Sequence, residues 1–417
     1  MRAPITHTPR PTYTLALLTG VYFFYLLDRN AVLVTQELFK AEFHLSDTQV
    51  GLATGLSYGV CYALVGLPMG FLIDRTNRSR LLATLVAIWS GVTVLCVLAG
   101  QFWHLAVSRA IIGGAESGGS PASLSILSDL YPPERRATVS SIFFAGAGVG
   151  GIISFLVGGY IAQHFGWRAV FFVYGAPGLL LAVLIWFTVA EPQRRAITDA
   201  SVARGFWTTS LGLIRDRGLL PIYCGSVLYT LSMSGVGSWM VPYLMRVHHL
   251  PVAMASVTVA LAFGLLATLG SIAFGFASDW FERRRKGGML TALAFAALFN
   301  GVAGIALALS QNFPLALLCF ALWGVSALVY SGPANAAIAG IAPERARGTG
   351  FALFAVLCNL IGSGLGPLLT GVLSDRLALV LGTRSISAAI GMLAAVQIGA
   401  TVAFLLAARR WRARQSA

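Results

Sequence analysis

Asp28, Arg29, Arg109 and Glu116 are the side chains whose type and spacing could do chemistry. Two are carboxylates able to take up and release a proton, and two are guanidiniums able to hold an anion. All four stand in apolar surroundings. The first pair interrupts "FFYLLDRNAVLV", residues 23–34, inside a Tyr13–Val34 stretch whose other positions are apolar, or small and uncharged. A charge at the centre of a membrane-crossing helix costs about 2.5–3.5 kcal/mol on insertion scales, so it is kept for a reason. Arg109 and Glu116 are two helical turns apart and share a face. Asp28 and Arg29 are adjacent, so their side chains diverge by about 100°. One is expected to face a central cavity and the other a neighbouring helix of the same half. A static ion-pair network that sets the packing of the first and fourth spans is one reading, but such networks stabilise poorly beside apolar packing. The functional reading is that a desolvated carboxylate exchanges a proton and frees an arginine for an anion or for a rearrangement. Spacing does not rank Asp28 against Glu116.

These residues need elements to hold them. The chain has 417 residues, 57% hydrophobic and 11% charged, with a mean hydropathy of +0.78. A soluble domain has too little polar surface to coat that much apolar material. Twelve apolar stretches, most long enough to cross about 30 Å of hydrocarbon as helix, are read at 13–34, 50–73, 81–100, 102–128, 138–163, 167–190, 217–243, 253–277, 287–310, 312–340, 347–373 and 384–408. The stretch 312–340 is long enough to be tilted or kinked. The fold class is therefore an all-α membrane protein with 12 transmembrane helices.

The net charge of +14 could suggest an anionic partner, but its distribution argues for topology. Beyond Arg29 and Arg109, only Lys40, Arg168, Arg246, Arg376 and Arg384 fall outside the two termini and the loops after even-numbered spans. This asymmetry places both termini in the cytoplasm, and no nucleic-acid partner is expected. The segment Met1–Pro11 has no apolar core or cleavage site of a signal peptide, so the first span is expected to be retained. Cys61, Cys96, Cys224, Cys319 and Cys358 all lie in spans without metal-ligand spacing, and no metal is expected. The six histidines sit at span ends or in loops. An enzyme would need a catalytic constellation, and none appears: the acids are confined to one helix pair, and no phosphate-binding loop occurs. A channel does not fit the repeat described next.

"GFLIDRTNRSR" (70–80) is echoed by "GFASDWFERRR" (275–285), and "PERRAT" (133–138) by "PERARGT" (343–349). Two matches at nearly one offset indicate a six-plus-six duplication. The organisation read is a tail at 1–12, a first six-helix bundle at 13–190, a linker at 191–216, a second bundle at 217–408 and a tail at 409–417. Part of the linker, with Phe206, Trp207, Leu211 and Ile214, could lie as a helix on the membrane surface. Gly70 would let helices approach, Asp74 could pair with a helix end or arginine, and Arg75, Arg78 and Arg80 would lie at the anionic surface. Asp129 is a partner for one of these arginines, and Asp279 matches Asp74. The seventh and tenth spans carry no charge. Tyr223, Tyr229, Ser232, Trp239, Tyr330, Ser331 and Asn335, with Asn359, are the candidates for hydrogen bonding in the cavity.

Parallel six-helix halves resemble the major facilitator superfamily, and "GFLIDRTNRSR" resembles its signature loop, with Asn77 where glycine is usual. That resemblance implies two pseudo-symmetric six-helix bundles in the major facilitator fold, with gating at Gly70, Asp74, Arg75, Arg78, Asp129 and Asp279. "LLDR", "SRAIIGGAESGGSPA", "LYPPERRATVSSIF", "GWRAVFFVYGAPGLLLAVL" and "GPANAAIAGIAPERARGTGFALFAVLCNLIGSGLGPLLTGVLSDRL" together resemble bacterial members of the Spinster family over most of residues 20–376. The implied function is a proton-linked carrier of the bacterial inner membrane, with protons as coupling ion and no other cofactor. Its substrate would be an amphipathic or anionic organic solute such as a lysophospholipid. The family's functional acids and bases would be Asp28, Arg29, Arg109 and Glu116. The anion:cation symporter family, which takes up sugar acids and aromatic carboxylates, shares these four and is the alternative. The drug-antiporter glycine motif with proline is absent from "GAGVGGIISFLVGG" (146–159). A monomer is the superfamily default.

Overall fold

The computed structural model describes residues 10–192 and 206–415; most of the N-terminal tail and of the linker, and residues 416–417, lie outside the described residues. Every element among the described residues is helical. In a bilayer core without water, each backbone N–H and C=O must bond within its own segment, and the helix does this. Seven stretches are long and apolar enough to cross alone, and two bent pairs raise this to nine. Pro133–Thr188 holds two crossings, because it turns at Gly166, whose φ of 79° suits only glycine. Arg347–Arg414 also holds two, turning at Gly382. Span four is broken into Phe102–Glu116 and Gly119–Leu130, each too short to be counted by itself. The total is the twelve that composition implies. Span ten is broken between Phe313–Ala327 and Ser331–Ile341, where the long apolar run suggested a kink.

Two compact units form. One holds the described residues of 1–45, 57–197 and 251–260, and the other those of 46–56, 198–250 and 261–417. They follow the two repeats except at two exchanges, the starts of spans two and eight. Each exchange ends at a π-helical stretch, Leu52–Leu56 in span two and Ala260–Leu266 in span eight. Such a stretch carries an extra residue per turn and is where a helix can change direction.

Within the first unit, Arg78 ties three spans together. Its guanidinium reaches Asp129 at 2.6 Å, Glu191 at 2.7 Å and the Ser125 hydroxyl at 2.9 Å. Asn77, the departure from the usual loop glycine, caps span three by accepting from the Arg80 N–H at 2.8 Å. At the other end, Arg168 donates to both oxygens of Glu42, at 2.8 and 2.7 Å, and to the carbonyls of Val97 and Ala99. A Cβ at Gly70 or Gly275 would meet nothing within 4 Å, so the close approach expected of Gly70 is absent. Arg75 lies over the Phe71 ring at 3.6 Å. Asp74 and Asp279 make no ion pair among the described residues.

Within the second unit, the start of span two lies backbone to backbone on span eleven. A Cβ on Gly51 would fall 2.5 Å from the Pro367 carbonyl, and one on Gly55 the same distance from that of Gly364. Arg246 grips Asp47 with two bonds of 2.7 and 2.8 Å, and Ser374 donates to Asp47 at 2.6 Å. Asp375 accepts from the N–H groups of Asp47 and Thr48, so the first amides of the helix, which have no partner inside it, are satisfied. Of the linker, the described part forms a helix at Phe206–Arg215, whose Leu213 and Ile214 pack into the second unit's core.

Removing the Asp47 carboxylate strips a largely buried guanidinium of its grip. Asp47→Ala should therefore destabilise the second unit by about 2–4 kcal/mol, read as a clear drop in melting temperature in detergent. A variant melting with the wild type would show that the grip carries no stability.

Candidate functional site

The intramembrane charges gather within the first unit. Span one supplies Asp28 and Arg29 and span four supplies Arg109 and Glu116; Asp28, Arg109 and Glu116 are each no more than 2% exposed. No two opposite charges among them come within ion-pair distance. Asp28 has no protein partner at either oxygen, Arg109 none at Nε or Nη1, and Glu116 none at Oε1. The neighbouring pair diverges as helix geometry requires. Arg29 is surrounded by Tyr25, Tyr58 and Tyr62, whereas Asp28 feels Glu116 and Arg109.

What joins these charges is a residue that sequence reasoning missed. Tyr58 of span two donates its hydroxyl to Glu116 Oε2 at 2.7 Å. The same hydroxyl lies 3.3 Å from that of Tyr25, which accepts from Arg29 Nη1 at 2.9 Å. Both guanidiniums also lie over the Tyr58 ring, Arg29 at 5.0 Å and Arg109 at 4.9 Å, within the range where a ring quadrupole attracts a cation. Tyr62 stacks on Tyr58, and Tyr22 on Tyr25.

The local sequence explains why Tyr58 arrives there. Gly113 stands four residues after Arg109 and three before Glu116, on their shared face. Its missing side chain lets span two approach so closely that a Cβ would fall 2.5 Å from the Tyr58 carbonyl oxygen. Small residues serve this purpose in membrane helices.

The polar candidates of the second unit are arranged differently. Tyr223 and Trp239 are buried, donating to the carbonyls of Gly350 and Pro367. Tyr229 is buried against the Ser326 carbonyl and stacks on Tyr330 at 5.2 Å. Ser232 is buried with its hydroxyl unpartnered. Asn335 and Asn359 turn back to carbonyls on their own helices, those of Ser331 and Ala355. A network absent from the sequence reading lies behind them. Gln397 donates to Asn300 at 3.0 Å, and Asn300 donates to Ser326 at 3.0 Å and to the Trp323 carbonyl at 3.1 Å. No group of His, Cys, Asp or Glu suited to a metal occurs among the described residues.

Comparison with known proteins gives a consistent picture. The family model described as Major Facilitator Superfamily matches residues 18–367. An MFS-type efflux pump of Mycolicibacterium smegmatis is 26% identical over 97% of this chain and 95% of its own length. A hexuronate transporter of Bacillus subtilis is 26% identical over 88% of each chain. Among solved structures, a bacterial homolog of the human lysosomal transporter Spinster, in an inward-facing and unoccupied conformation, matches with a TM-score of 0.86. It is 26% identical, and the match covers 97% of this chain and 98% of that one.

Gly113→Val should push span two off span four, at a cost of about 1–3 kcal/mol from overpacking. Gly70→Ala, in open space, should stay within about 0.5 kcal/mol of the wild type. Melting curves in detergent compare the two. Equal melting would remove the close contact from the account of how Tyr58 is placed.

Proposed function

The chain belongs to the Major Facilitator Superfamily and is a Spinster-like multi-pass membrane transporter; on that premise we propose that it is a proton-coupled secondary carrier of an amphipathic or anionic organic solute. The observation that carries this reading is the set of buried, unpaired charges on spans one and four. A charge taken out of water without a partner costs several kcal/mol even after relaxation, and a protein that needed only packing would use apolar residues there. Asp28, with neither oxygen bonded, and Glu116, with one oxygen free, are the groups that exchange protons with the aqueous phases. Arg109, with donors unspent, and Arg29 meet the anionic group of the solute. The solute would be of lysophospholipid type. The protein would work as a monomer in the bacterial inner membrane, with both termini cytoplasmic and no cofactor beyond the coupling proton.

A second reading is favoured by one observation, the full-length similarity to a hexuronate transporter. On that reading the same arginines clamp a carboxylate, and the chain takes up sugar acids or aromatic acids with protons. Proteoliposomes with a trapped pH dye separate the two. Palmitoyl-lysophosphatidylglycerol and glucuronate are added in turn, with inside and outside pH set independently. Proton flux triggered by the lipid alone supports the first reading, and flux triggered by the carboxylate alone supports the second. The sign of the flux gives direction. Asp28→Asn and Glu116→Gln should each lower uphill accumulation by about tenfold or more. Wild-type accumulation in both variants would end the proton-coupled reading.

A further inference from the structure

We propose that Tyr58 is the positioning residue that converts protonation of Glu116 into release of Arg29, an inference that rests on the proton-coupled reading. Arginine only donates hydrogen bonds, and an ionised carboxylate only accepts them. With Glu116 ionised, Tyr58 must spend its single O–H on Oε2. Tyr25 receives Arg29 on its oxygen, so its own O–H is the proton that fills the 3.3 Å contact with Tyr58. Every bond in the chain then points the same way, from Arg29 through Tyr25 and Tyr58 to Glu116.

When a proton taken up from water settles on Oε2 of Glu116, the last bond reverses. The acid now donates to Tyr58, and the Tyr58 O–H turns to the Tyr25 oxygen. That oxygen must accept from Tyr58 and Arg29 together, while its own proton loses its acceptor. The Arg29 bond is the one that gives way. Loss of the carboxylate charge also removes the negative end that drew both guanidiniums to the Tyr58 ring. No covalent bond but that to the proton changes, and the proton returns to water when Glu116 ionises again.

The titratable and charged neighbours of this chain all belong to the first unit. They are Tyr22, Tyr25, Asp28 and Arg29 from span one, Tyr58 and Tyr62 from span two, Cys96 near the end of span three, Arg109 and Glu116 from span four, and Tyr174 from span six. Among the described residues, only Tyr58 touches both an acid and two bases. A residue needed for its ring alone would be served by phenylalanine, which separates this role from packing.

The test reads the reactivity of Arg29 in the full-length protein in nanodiscs at one fixed pH, by phenylglyoxal labelling mapped with mass spectrometry. Glu116→Gln, which presents a donor as the protonated acid does, should speed labelling of Arg29 by about tenfold, the worth of a charge-assisted bond. Tyr58→Phe, which lacks the hydroxyl that displaces Arg29, should label like the wild type, and the double variant should lose the tenfold rise. Tyr25→Phe takes the acceptor away from Arg29 and should label fast whether or not Glu116 is replaced; it serves if Tyr58→Phe does not fold. Wild-type labelling in Glu116→Gln, or a double variant as fast as Glu116→Gln alone, would overturn the proposal. In proteoliposomes, Tyr58→Phe should keep the KM for the transported probe while losing coupled proton flux; a parallel rise in KM would mark a merely structural role. Uphill transport surviving in both Asp28→Asn and Glu116→Gln defeats the proton-coupled reading itself. Fast labelling in the Tyr58→Phe, Glu116→Gln double variant, with Asp28→Asn and Glu116→Gln inactive in transport, defeats only the role of Tyr58.

Discussion

A close backbone approach in the first unit, span two upon Gly113 of span four, is the contact on which the charged site depends. Without it the Tyr58 ring could not lie within about 5 Å of both guanidiniums while its hydroxyl reaches Glu116. The interaction is short-range, but what it organises is electrostatic. In a low-dielectric interior, charges that stop short of ion-pair contact still act on one another strongly. Four such charges, none within ion-pair distance of an opposite one, do not neutralise one another by direct contact. Their arrangement can therefore change at modest cost when one of them gains a proton, whereas a closed ion pair would first have to be broken.

The outer anchoring is of the opposite kind. Asp47 is satisfied by Arg246 and Ser374, and the amides around it by Asp375 and Ser46. Nothing there is left unpaired in the way that Asp28 is. The start of span two is thus built as a fixed part of the second unit, and its remainder, from Ser57, as part of the first. The π-helical turn at Leu52–Leu56 lies where one helix must serve both. Span eight repeats the device with its π-helical turn at Ala260–Leu266. Tyr58 comes directly after the first of these turns, so the residue that contacts all the site's charges but Asp28 stands next to a point where the helix can bend.

Much of this could be read from the residues. Twelve crossings followed from apolar length, the duplication from two loop motifs at one offset, and the charged residues from their cost in an apolar run. Tyr58 could not be read in the same way. A tyrosine in "GLSYGVCYALVG" resembles any half-polar packing residue, and its partner atoms lie on other helices. The signal available was Gly113, a gap on the face between Arg109 and Glu116, which marks that some helix comes close without saying which. The two exchanges of helix starts between units were hidden for a related reason. A repeat offset reports ancestry, while the side on which a helix end packs is decided by contacts such as Gly51 on Pro367. Asp47 falls between the first two apolar stretches, and its partners Arg246 and Ser374 are remote in the chain.

The contrast between the units gives the asymmetry a physical sense. In the second unit, apart from Asp47 in the grip of Arg246, buried polarity is uncharged and mostly spent: Asn300 bonds Trp323, Ser326 and Gln397, and the hydroxyls of Tyr223 and Tyr229 bond carbonyls. A satisfied neutral network rigidifies what it joins. In the first unit the buried groups include ionisable ones, and several of their atoms have no protein partner. A conformational equilibrium can be biased only by groups whose interactions differ between its states. Neutral groups already bonded to their own helices and neighbours have little to exchange. Ionisable groups held short of contact have a great deal, and on the proposal for Tyr58 one proton on Glu116 would change every bond along the line from Arg29. On that proposal the first unit would hold the free energy that a proton redirects.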